Sequence, residues 1–352
     1  MAEGLSMRWY ENNKYKEDLE IVLQTTKGIE QLRGKRILVA GATGLIGSFL
    51  VDALLYANDI YHYGIKVVAC SRSVEKLTER FGPETSDLKY LIGDVCQENC
   101  YNDKLDYVIH LASNAYPEKF RREPVETMLG NIMGTLNLLK LTQRSDNCRM
   151  LYVSTGEVYG EVDKHKDEED YGYIDILSAR SCYPMSKRAG ETLCSSYAEE
   201  YNVDVVIARP CHVYGPNGTE NDNRASTQFI QKAVRTEDII MNSSGSQIRS
   251  YIYVADCVSG LLTVLLKGKC KVAYNVAPAD VISIRGFADI CAREANVRVI
   301  VHLTDETGKK EQSPISSQIL VSKKLYGLGW KERYTIEEGI GRSIEILRSR
   351  IG

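Results

Sequence analysis

The feature that most constrains the fold of this chain is a glycine-rich segment between an apolar run and a predicted helix. The apolar run at 36–40 leads into the sequence GATGLIG at 41–47, and the apolar stripe of residues 48–55 predicts a helix. Glycines let the backbone turn tightly and approach a pyrophosphate, whose charge the N-terminus of the helix stabilises. The strand before and the helix after favour a dinucleotide site over a glycine-rich turn that binds nothing.

Strands and helices alternate along the chain up to Pro216, which is the pattern of a parallel sheet with helices on both faces. The predicted strands are 36–40, 66–70, 88–92, 107–111, 149–154 and 204–209, and the main predicted helices are 124–144 and 183–201. We therefore expect an α/β fold built on a doubly wound parallel sheet of the Rossmann type.

After Pro216 the predicted elements become shorter and less regular. They are helices at 226–235, 254–267, 283–296 and 335–348 and a strand at 272–276. We expect an N-terminal helical extension at 1–33, a dinucleotide-binding domain at 34–215, and a smaller C-terminal α/β lobe at 216–352. That lobe is predicted to bind the substrate, because ligands of such sheets lie at the carboxyl ends of the strands. Some of its elements are expected to return to the sheet.

The composition argues against several classes of function. The net charge of −3 gives no electrostatic argument for binding nucleic acid or an anionic membrane. No segment approaches the roughly 18 consecutive apolar residues of a membrane span, and the N-terminus has no apolar signal region. The ten cysteines form no C-x-x-C pair, and Cys96 and Cys100 have no further ligands nearby. We expect a cytoplasmic protein with reduced thiols, no metal site, and no nucleic-acid or membrane partner.

The segment YPMSK at 183–187 suggests an acid/base pair. Tyr183 and Lys187 lie four residues apart, so on a helix they share one face, and Pro184 fits the first turn of that helix. A lysine ammonium at that distance favours the phenolate and is expected to lower the tyrosine pKa toward neutrality. Tyr183 is therefore a candidate acid/base for the hydroxyl of a sugar or an alcohol.

Together with the glycine turn, several further segments make the chain resemble the extended short-chain dehydrogenase/reductases that modify nucleotide sugars. The matching segments are, in chain order, GATGLIG at 41–47, GDV at 93–95, HLAS at 110–113, NIMGT at 131–135, VSTGEVYG at 153–160, YPMSK at 183–187, RPCHVYGP at 209–216 and RSYIYVAD at 249–256. The resemblance implies a nucleotide-diphosphate sugar as substrate. It also implies NAD or NADP as a tightly bound cofactor that is recycled within each turnover.

The resemblance assigns roles to individual residues. Tyr183 would take the proton of the sugar C4 hydroxyl, Lys187 would hold the nicotinamide ribose, and Thr155 would orient the same hydroxyl. With Tyr183 and Lys187, the residues implied on the cofactor are Gly41, Thr43, Gly44, Leu45, Ile46, Gly47, Asp94, Val95, Leu111, Ala112, Ser113 and Pro210. Those implied on the substrate are His212, Arg224 and Arg249, where the arginines would face the diphosphate or nucleotide. The family commonly has Asn in place of His212, which could donate similarly or titrate near neutral pH.

The reaction that follows oxidation at C4 is left open by the sequence. Glu157 lies two residues after Thr155, so on a strand both would face the same side, and Glu157 could act as a base at C5 or orient C6. Similar dehydratases carry an acid in place of Gly156, which weighs against simple 4,6-dehydration. Similar decarboxylases typically carry Ser there, and simple 4-epimerases usually lack a Glu at position 157, so no subclass matches at every position. The segments RSCY at 180–183 and GSQIRS at 245–250 are more similar to nucleotide-sugar decarboxylases. The alternative is a net NADP-dependent reductase or dehydrogenase, and the remaining one is a non-catalytic relative that senses the cofactor.

Two expectations concern the cofactor and the assembly. The strand that ends near Arg72 lacks the acidic residue expected to bind an NAD ribose, and Arg72 could pair with a 2′-phosphate, which favours NADP. Similar proteins form homodimers through the helix that carries the Tyr/Lys pair and the helix before it. The residues of these helices that are expected at such an interface are Leu136, Leu139, Leu193 and Tyr197.

Overall fold

A seven-stranded parallel sheet forms the centre of the fold. The computed structural model describes residues 9–98, 101–115, 117–162, 165–219, 222–302 and 317–351. The strands are β1 (Arg36–Ala40), β2 (Lys66–Ser71), β3 (Leu88–Ile92), β4 (Tyr107–His110), β5 (Arg149–Val153), β6 (Asp204–Pro210), β7 (His212–Tyr214), β8 (Ile239–Met241), β9 (Ile248–Tyr253), β10 (Ala273–Val276), β11 (Val281–Ser283), β12 (Val299–Val301) and β13 (Ser317–Gln318). The order in the large sheet is β10-β6-β5-β4-β1-β2-β3, and every neighbouring pair is parallel.

Helices cover both faces of this sheet. They are α1 (Asn13–Thr25), α2 (Leu45–Tyr61), α3 (Val74–Phe81), α4 (Pro117–Arg122), α5 (Pro124–Arg144), α6 (Cys182–Tyr201), α7 (Ala225–Val234), α8 (Val254–Lys267), α9 (Ile284–Ala295), α10 (Lys323–Gly327) and α11 (Ile336–Ile351). Helices α5 and α6 pack side by side and bury one apolar cluster against the sheet, while α1, α2 and α8 contribute to the cluster on the other face. The predicted doubly wound sheet is confirmed.

Leu139 of α5 belongs to the core. It is fully buried in its own chain against the sheet, so the expectation that it takes part in a dimer interface is wrong. The sequence did not reveal this, because an apolar stripe that covers a sheet has the same 3.6-residue period as one that forms an interface. The other three residues named for that interface, Leu136, Leu193 and Tyr197, are partly buried.

A smaller lobe is built from short strands that follow β6. Strand β9 pairs in parallel with β7 and β13 and in antiparallel with β11, and β8 pairs with β12. Strand β10 returns to the edge of the large sheet beside β6. The lobe therefore stands over the carboxyl ends of β5 and β6, where β7 continues directly from β6.

The N-terminal helix α1 is part of the core. Tyr15 is fully buried, donates to Asp52 of α2 at 2.6 Å, and accepts from Asn217 of the loop after Pro216 at 2.9 Å. One turn later Asp18 accepts from Tyr253 Oη at 2.6 Å and from Arg342 Nε at 2.7 Å. Residues three apart share a helix face. One face of α1 therefore joins α2, the helix that follows the glycine turn, to the smaller lobe.

Candidate active site

The glycine turn is held by close packing at the end of β1. Gly41 has φ +86°, and a Cβ on it would lie 2.7 Å from the backbone nitrogen of Ala112 after β4. A Cβ on Gly47 would lie 2.2 Å from the carbonyl oxygen of Gly41. Gly44 caps α2 without a side-chain hydrogen bond, so the first N–H groups of α2, among them those of Leu45 and Ile46, face outward from the helix end. This turn and helix end suit a pyrophosphate.

The residues expected at the adenine end lie at the ends of neighbouring strands. Thr43 Oγ1 lies 3.4 Å from Ser71 Oγ at the end of β2, and Arg72 is exposed next to it. Asp94, after β3, accepts the N–H of Cys96 at 2.9 Å. That hydrogen bond is the main cause of a lowered Asp94 pKa, and the charge of Arg72 adds to it. Arg72 and Asp94 are therefore near enough to interact where an adenosine ribose of such a cofactor belongs.

Tyr183, Lys187 and Thr155 come together at the carboxyl end of β5. Tyr183 lies in the first turn of α6 and stacks on Phe120, with the ring centroids 4.5 Å apart. The Lys187 ammonium donates a 2.8 Å hydrogen bond to the backbone carbonyl of Val153, the last residue of β5. Thr155 is close enough to Tyr183 that a hydrogen bond between their side chains favours the phenolate. The grouping that the sequence predicted is present.

The pKa values of Tyr183 and Lys187 differ from the expectation. Burial, with the negative charge of Glu157 in second place, raises the pKa of Tyr183 to about 12 in the ligand-free protein. Burial also lowers the pKa of Lys187 to about 8. The expected lowering of the tyrosine pKa by Lys187 is therefore wrong here, because desolvation disfavours both the phenolate and the ammonium.

A chain of buried hydrogen bonds that the sequence did not predict fixes α6 against β4 and α5. Ser113 Oγ donates to Asn131 Oδ1 at 2.7 Å, and Asn131 Nδ2 donates to Ser186 Oγ at 2.8 Å. Ser186 Oγ in turn donates to the backbone carbonyl of Tyr183 at 3.0 Å. Asn131 is the first residue of the NIMGT segment, so the signal was present, but its partner lies 55 residues away. The network therefore fixes the backbone of the first turn of α6, which carries Tyr183, through polar groups that all have partners.

Glu157 does not lie on a strand. Strand β5 ends at Val153, and Gly156–Tyr159 form a 3-10 turn whose N-cap, Thr155, accepts the N–H of Glu157 at 3.2 Å. The expectation that Thr155 and Glu157 share one strand face is therefore wrong. Glu157 instead forms an ion pair with Arg180, whose single nitrogen Nη2 lies 3.0 Å and 2.8 Å from the two carboxylate oxygens. Arg180 was not among the predicted site residues.

The position of Gly156 is covered by another part of the chain. A Cβ on Gly156 would lie 3.0 Å from Leu320 Cδ2 and 3.3 Å from Gln318 Nε2. Gln318 belongs to β13, and the N–H of Leu320 donates to Ser250 Oγ of β9 at 3.2 Å. A larger side chain beside Thr155 would therefore require Leu320 to move.

The three residues expected on the substrate interact with one another electrostatically. Burial, and then the charges of Arg249 and Arg224, lower the pKa of His212 to about 3, so the suggestion that it titrates near neutral pH is wrong. Arg249 is only 4% exposed and donates to Gln247 Oε1 at 3.0 Å. Arg224 is paired with Asp222, and its charge also favours the Tyr183 phenolate. Arg249 and Arg224 are thus close enough to His212 to lower its pKa, and Arg224 is also close enough to Tyr183 to act on it.

The described ranges contain neither a membrane-spanning helix nor a metal-binding cluster. None of their helices is both long and apolar enough to cross a membrane. No three His, Cys, Asp or Glu side chains among these residues are grouped so that they could hold a metal ion.

Comparisons with known proteins agree with this geometry. A model of the NAD dependent epimerase/dehydratase family matches residues 37–277. UDP-glucuronic acid decarboxylase 1 of Danio rerio is 31% identical over 317 residues, which cover 88% of this chain and 72% of that protein. UDP-glucuronic acid decarboxylase 5 of Arabidopsis thaliana is 31% identical over 325 residues, which cover 90% of each.

Solved structures share the fold. The UDP-glucose 4-epimerase of Thermotoga maritima has a TM-score of 0.76 at 22% identity, covering 90% of this chain and 100% of that one. The dTDP-glucose 4,6-dehydratase of Bacillus anthracis, solved with NAD, has a TM-score of 0.73 at 18% identity, covering 90% and 97%.

Proposed function

Because the chain belongs to the NAD-dependent epimerase/dehydratase family, we propose that it is a decarboxylase of a nucleoside-diphosphate-linked uronic acid. The predictions of the family, the fold, the nicotinamide cofactor and a nucleotide-sugar-modifying enzyme are confirmed. The choice of decarboxylation rests on the packing around Gly156 and on the relatives, which are named as UDP-glucuronic acid decarboxylases.

The packing around Gly156 is the observation that carries the proposal. Loss of the C6 hydroxyl in a 4,6-dehydration needs a proton donor beside Thr155. This chain has Gly156 there, and even the first atom of a side chain would lie 3.0 Å from Leu320 Cδ2 and 3.3 Å from Gln318 Nε2. Loss of carbon dioxide from C6 needs no such donor. A ketone at C4 makes a C6 carboxylate a β-keto acid, which releases carbon dioxide readily.

Several residues of this chain take part in the oxidation and reduction at C4. When bound, the nicotinamide accepts the hydride of C4 and later returns it. Tyr183 takes the proton of the C4 hydroxyl, and Thr155, Arg224 and Arg180 favour the phenolate that is needed for this. Lys187, whose carbonyl contact leaves two further N–H donors, holds the ribose hydroxyls of the cofactor.

The carbon–carbon cleavage follows from the C4 ketone. The C5–C6 bond breaks, its electron pair passes into an enolate between C5 and the C4 oxygen, and carbon dioxide leaves. Tyr183, now protonated, and Thr155 donate hydrogen bonds to the enolate oxygen, where negative charge develops. C5 then takes a proton from water, and the C4 ketone is reduced again. No base at C5 is needed, so Glu157 takes no proton from the sugar in this proposal.

Product analysis tests the proposal. Purified protein is incubated with a panel of nucleotide sugars that includes UDP-glucuronic acid and UDP-glucose, in separate reactions with NAD and with NADPH. Products are identified by mass and by carbon dioxide release. We expect carbon dioxide and a pentose nucleotide from the uronic acid, with no net build-up of reduced cofactor. A product of unchanged mass would indicate an epimerase, and stoichiometric oxidation of NADPH would indicate the net reductase. Either result without carbon dioxide would overturn the proposal.

A homodimer is the assembly that we propose. The described part of α5 exposes an apolar stripe next to α6, in which Val125 is 61%, Leu129 52%, Met128 39% and Met133 38% exposed. Residues three and four apart lie on one helix face, so these four form one strip. A second copy of the same strip would cover it through a two-fold axis.

The proposed compartment is the cytoplasm. The nine cysteines in the described ranges are unpaired, and most of them are buried. Free thiols are usual where glutathione and thioredoxin keep them reduced.

A further inference from the structure

We propose that Arg180 is the receptor for the C6 carboxylate of the substrate, and that Glu157 occupies it in the ligand-free protein. The inference rests on the proposed function, because it assumes a uronic acid as substrate. It assigns a binding role to a residue that the sequence analysis left without one.

The Arg180 guanidinium is already arranged to hold a carboxylate. Its Nη2 lies 2.8 Å and 3.0 Å from the two oxygens of Glu157, so a carboxylate fits this position. The guanidinium also lies 4.7 Å above the ring of Phe120, and Phe120 stacks on Tyr183. Arg180 is thus one aromatic ring away from the tyrosine that acts at C4.

The ion pair is open to solvent and easily exchanged. The side chains of Arg180 and Glu157 are 44% and 25% exposed. Such exposed pairs are typically worth only about 0–1 kcal/mol, so replacing one carboxylate by another costs little. The substrate carboxylate is delivered at high local concentration, since the rest of the nucleotide sugar is already bound.

The negative charge of Glu157 also acts on Arg249, which is 4% exposed, and on Tyr183. Arg249 is therefore a second positive charge near Glu157 when Arg180 binds the substrate carboxylate. After carbon dioxide has left, the product has no carboxylate for Arg180, so Glu157 pairs with it again. Arg180 thus favours the uronic acid over the product, whereas competition by Glu157 lowers that preference and helps the product to leave.

Binding measurements test this assignment. The affinities of UDP-glucuronic acid and UDP-glucose are measured by calorimetry on the NAD-loaded full chain and on Arg180→Gln, Arg180→Lys and Glu157→Gln. We expect Arg180→Gln to lose the preference for the uronic acid by tenfold or more, with UDP-glucose affinity unchanged. Arg180→Lys should retain part of that preference, because an ammonium keeps the positive charge but lacks the planar guanidinium. Glu157→Gln should bind the uronic acid more tightly.

Arg122→Gln is the matched control. Arg122 pairs with Glu118 on the exposed surface of α4, so its loss removes an equivalent ion pair away from the pocket. Unchanged UDP-glucose binding in Arg180→Gln shows that the variant is folded. If that variant then keeps the full preference for the uronic acid, or if Glu157→Gln binds it no more tightly, the assignment is wrong. These outcomes differ from failure of the proposed function, in which the unmodified protein releases no carbon dioxide.

Discussion

The ammonium of Lys187 is bound to the backbone carbonyl of Val153, 2.8 Å away, and this contact ties helix α6 to the end of β5. The lysine is 2% exposed, and its ammonium lies 5.0 Å from the centre of the Tyr152 ring. The contact fixes the lysine beside the sheet, where its remaining N–H groups can bind ribose hydroxyls. Its position thus fits the cofactor-binding role that we propose for it, even though burial lowers its pKa to about 8.

The buried Lys187 gives stability a pH dependence with a defined sign. Its pKa is about 8 in the fold and 10.5 in the unfolded chain, so between these values the unfolded state binds the extra proton. Stability of the unmodified protein therefore rises with pH through this window relative to Lys187→Met. Thermal unfolding of both ligand-free proteins from pH 7 to 10.5 measures the difference. Lys140→Met, which removes an exposed charge from α5, is the control. A difference that stays constant with pH would contradict the prediction.

Removal of the Tyr183 hydroxyl should stop turnover. In Tyr183→Phe the ring keeps its stack on Phe120, and only the ionisable oxygen is lost. We expect NAD binding close to that of the unmodified protein and a loss of turnover far beyond tenfold, where tenfold is about 1.4 kcal/mol of barrier. Turnover assays and cofactor titration measure the two effects. Activity retained within tenfold would remove Tyr183 from the mechanism.

The sequence predicted the large sheet well because its strands carry local signals. The predicted strand at 36–40 and β1 coincide, and the predicted helix at 124–144 and α5 coincide. The short strands β7 and β13 were missed, since three or two residues become a strand only by pairing with β9, which the local pattern does not encode. Long-range pairing is invisible to periodicity.

The candidate site was predicted in its motifs and missed in its contacts. Tyr183 and Lys187 share one face of α6 because they lie four residues apart, and Thr155 reaches Tyr183 from the turn that follows β5. Glu157 was misplaced because a strand and a 3-10 turn cannot be distinguished over four residues. Arg180 was missed because its partner is 23 residues away, on a different element.

The preference for NADP stays a prediction, and Arg72 tests it. Arg72 is exposed beside Asp94 at the end where the adenosine ribose belongs. We expect Arg72→Asp to shift binding toward NAD, since a carboxylate accepts hydrogen bonds from ribose hydroxyls and repels a 2′-phosphate. Titration of both cofactors against both proteins gives the ratio of affinities. If the unmodified protein already binds NAD more tightly, the 2′-phosphate contact is not formed.

The exposed strip of α5 should hold two chains together. Leu129 lies in the middle of this strip, so Leu129→Asp places a charge in the proposed interface. We expect a dimer mass for the unmodified protein and a monomer mass for the variant in light scattering at micromolar concentration. Val74→Asp is the control, because Val74 is 43% exposed on α3, outside the strip. A monomeric unmodified protein would rule out the dimer.

The packing between Gly156 and Leu320 predicts an energetic coupling between the two positions. In Gly156→Ala the new Cβ would meet Leu320 Cδ2 at 3.0 Å, and such overpacking typically costs about 1–3 kcal/mol. In Leu320→Ala the loss of a side chain that is 3% exposed should cost about 2–5 kcal/mol. The double variant should be less destabilised than the sum by about 0.5–3 kcal/mol, because the new methyl group enters space that the leucine has left.

Urea unfolding of the unmodified protein, the two single variants and the double variant measures the coupling, because each curve gives a free energy of unfolding. Leu77→Ala is the control partner. Leu77 is fully buried in α3, away from the turn, so its effect should simply add to that of Gly156→Ala. The coupling bears directly on the reaction, because it measures whether Leu320 keeps a larger side chain away from Thr155. Additive free energies for Gly156→Ala and Leu320→Ala would mean that Leu320 does not restrict a side chain at position 156, and its packing would no longer weigh against dehydration.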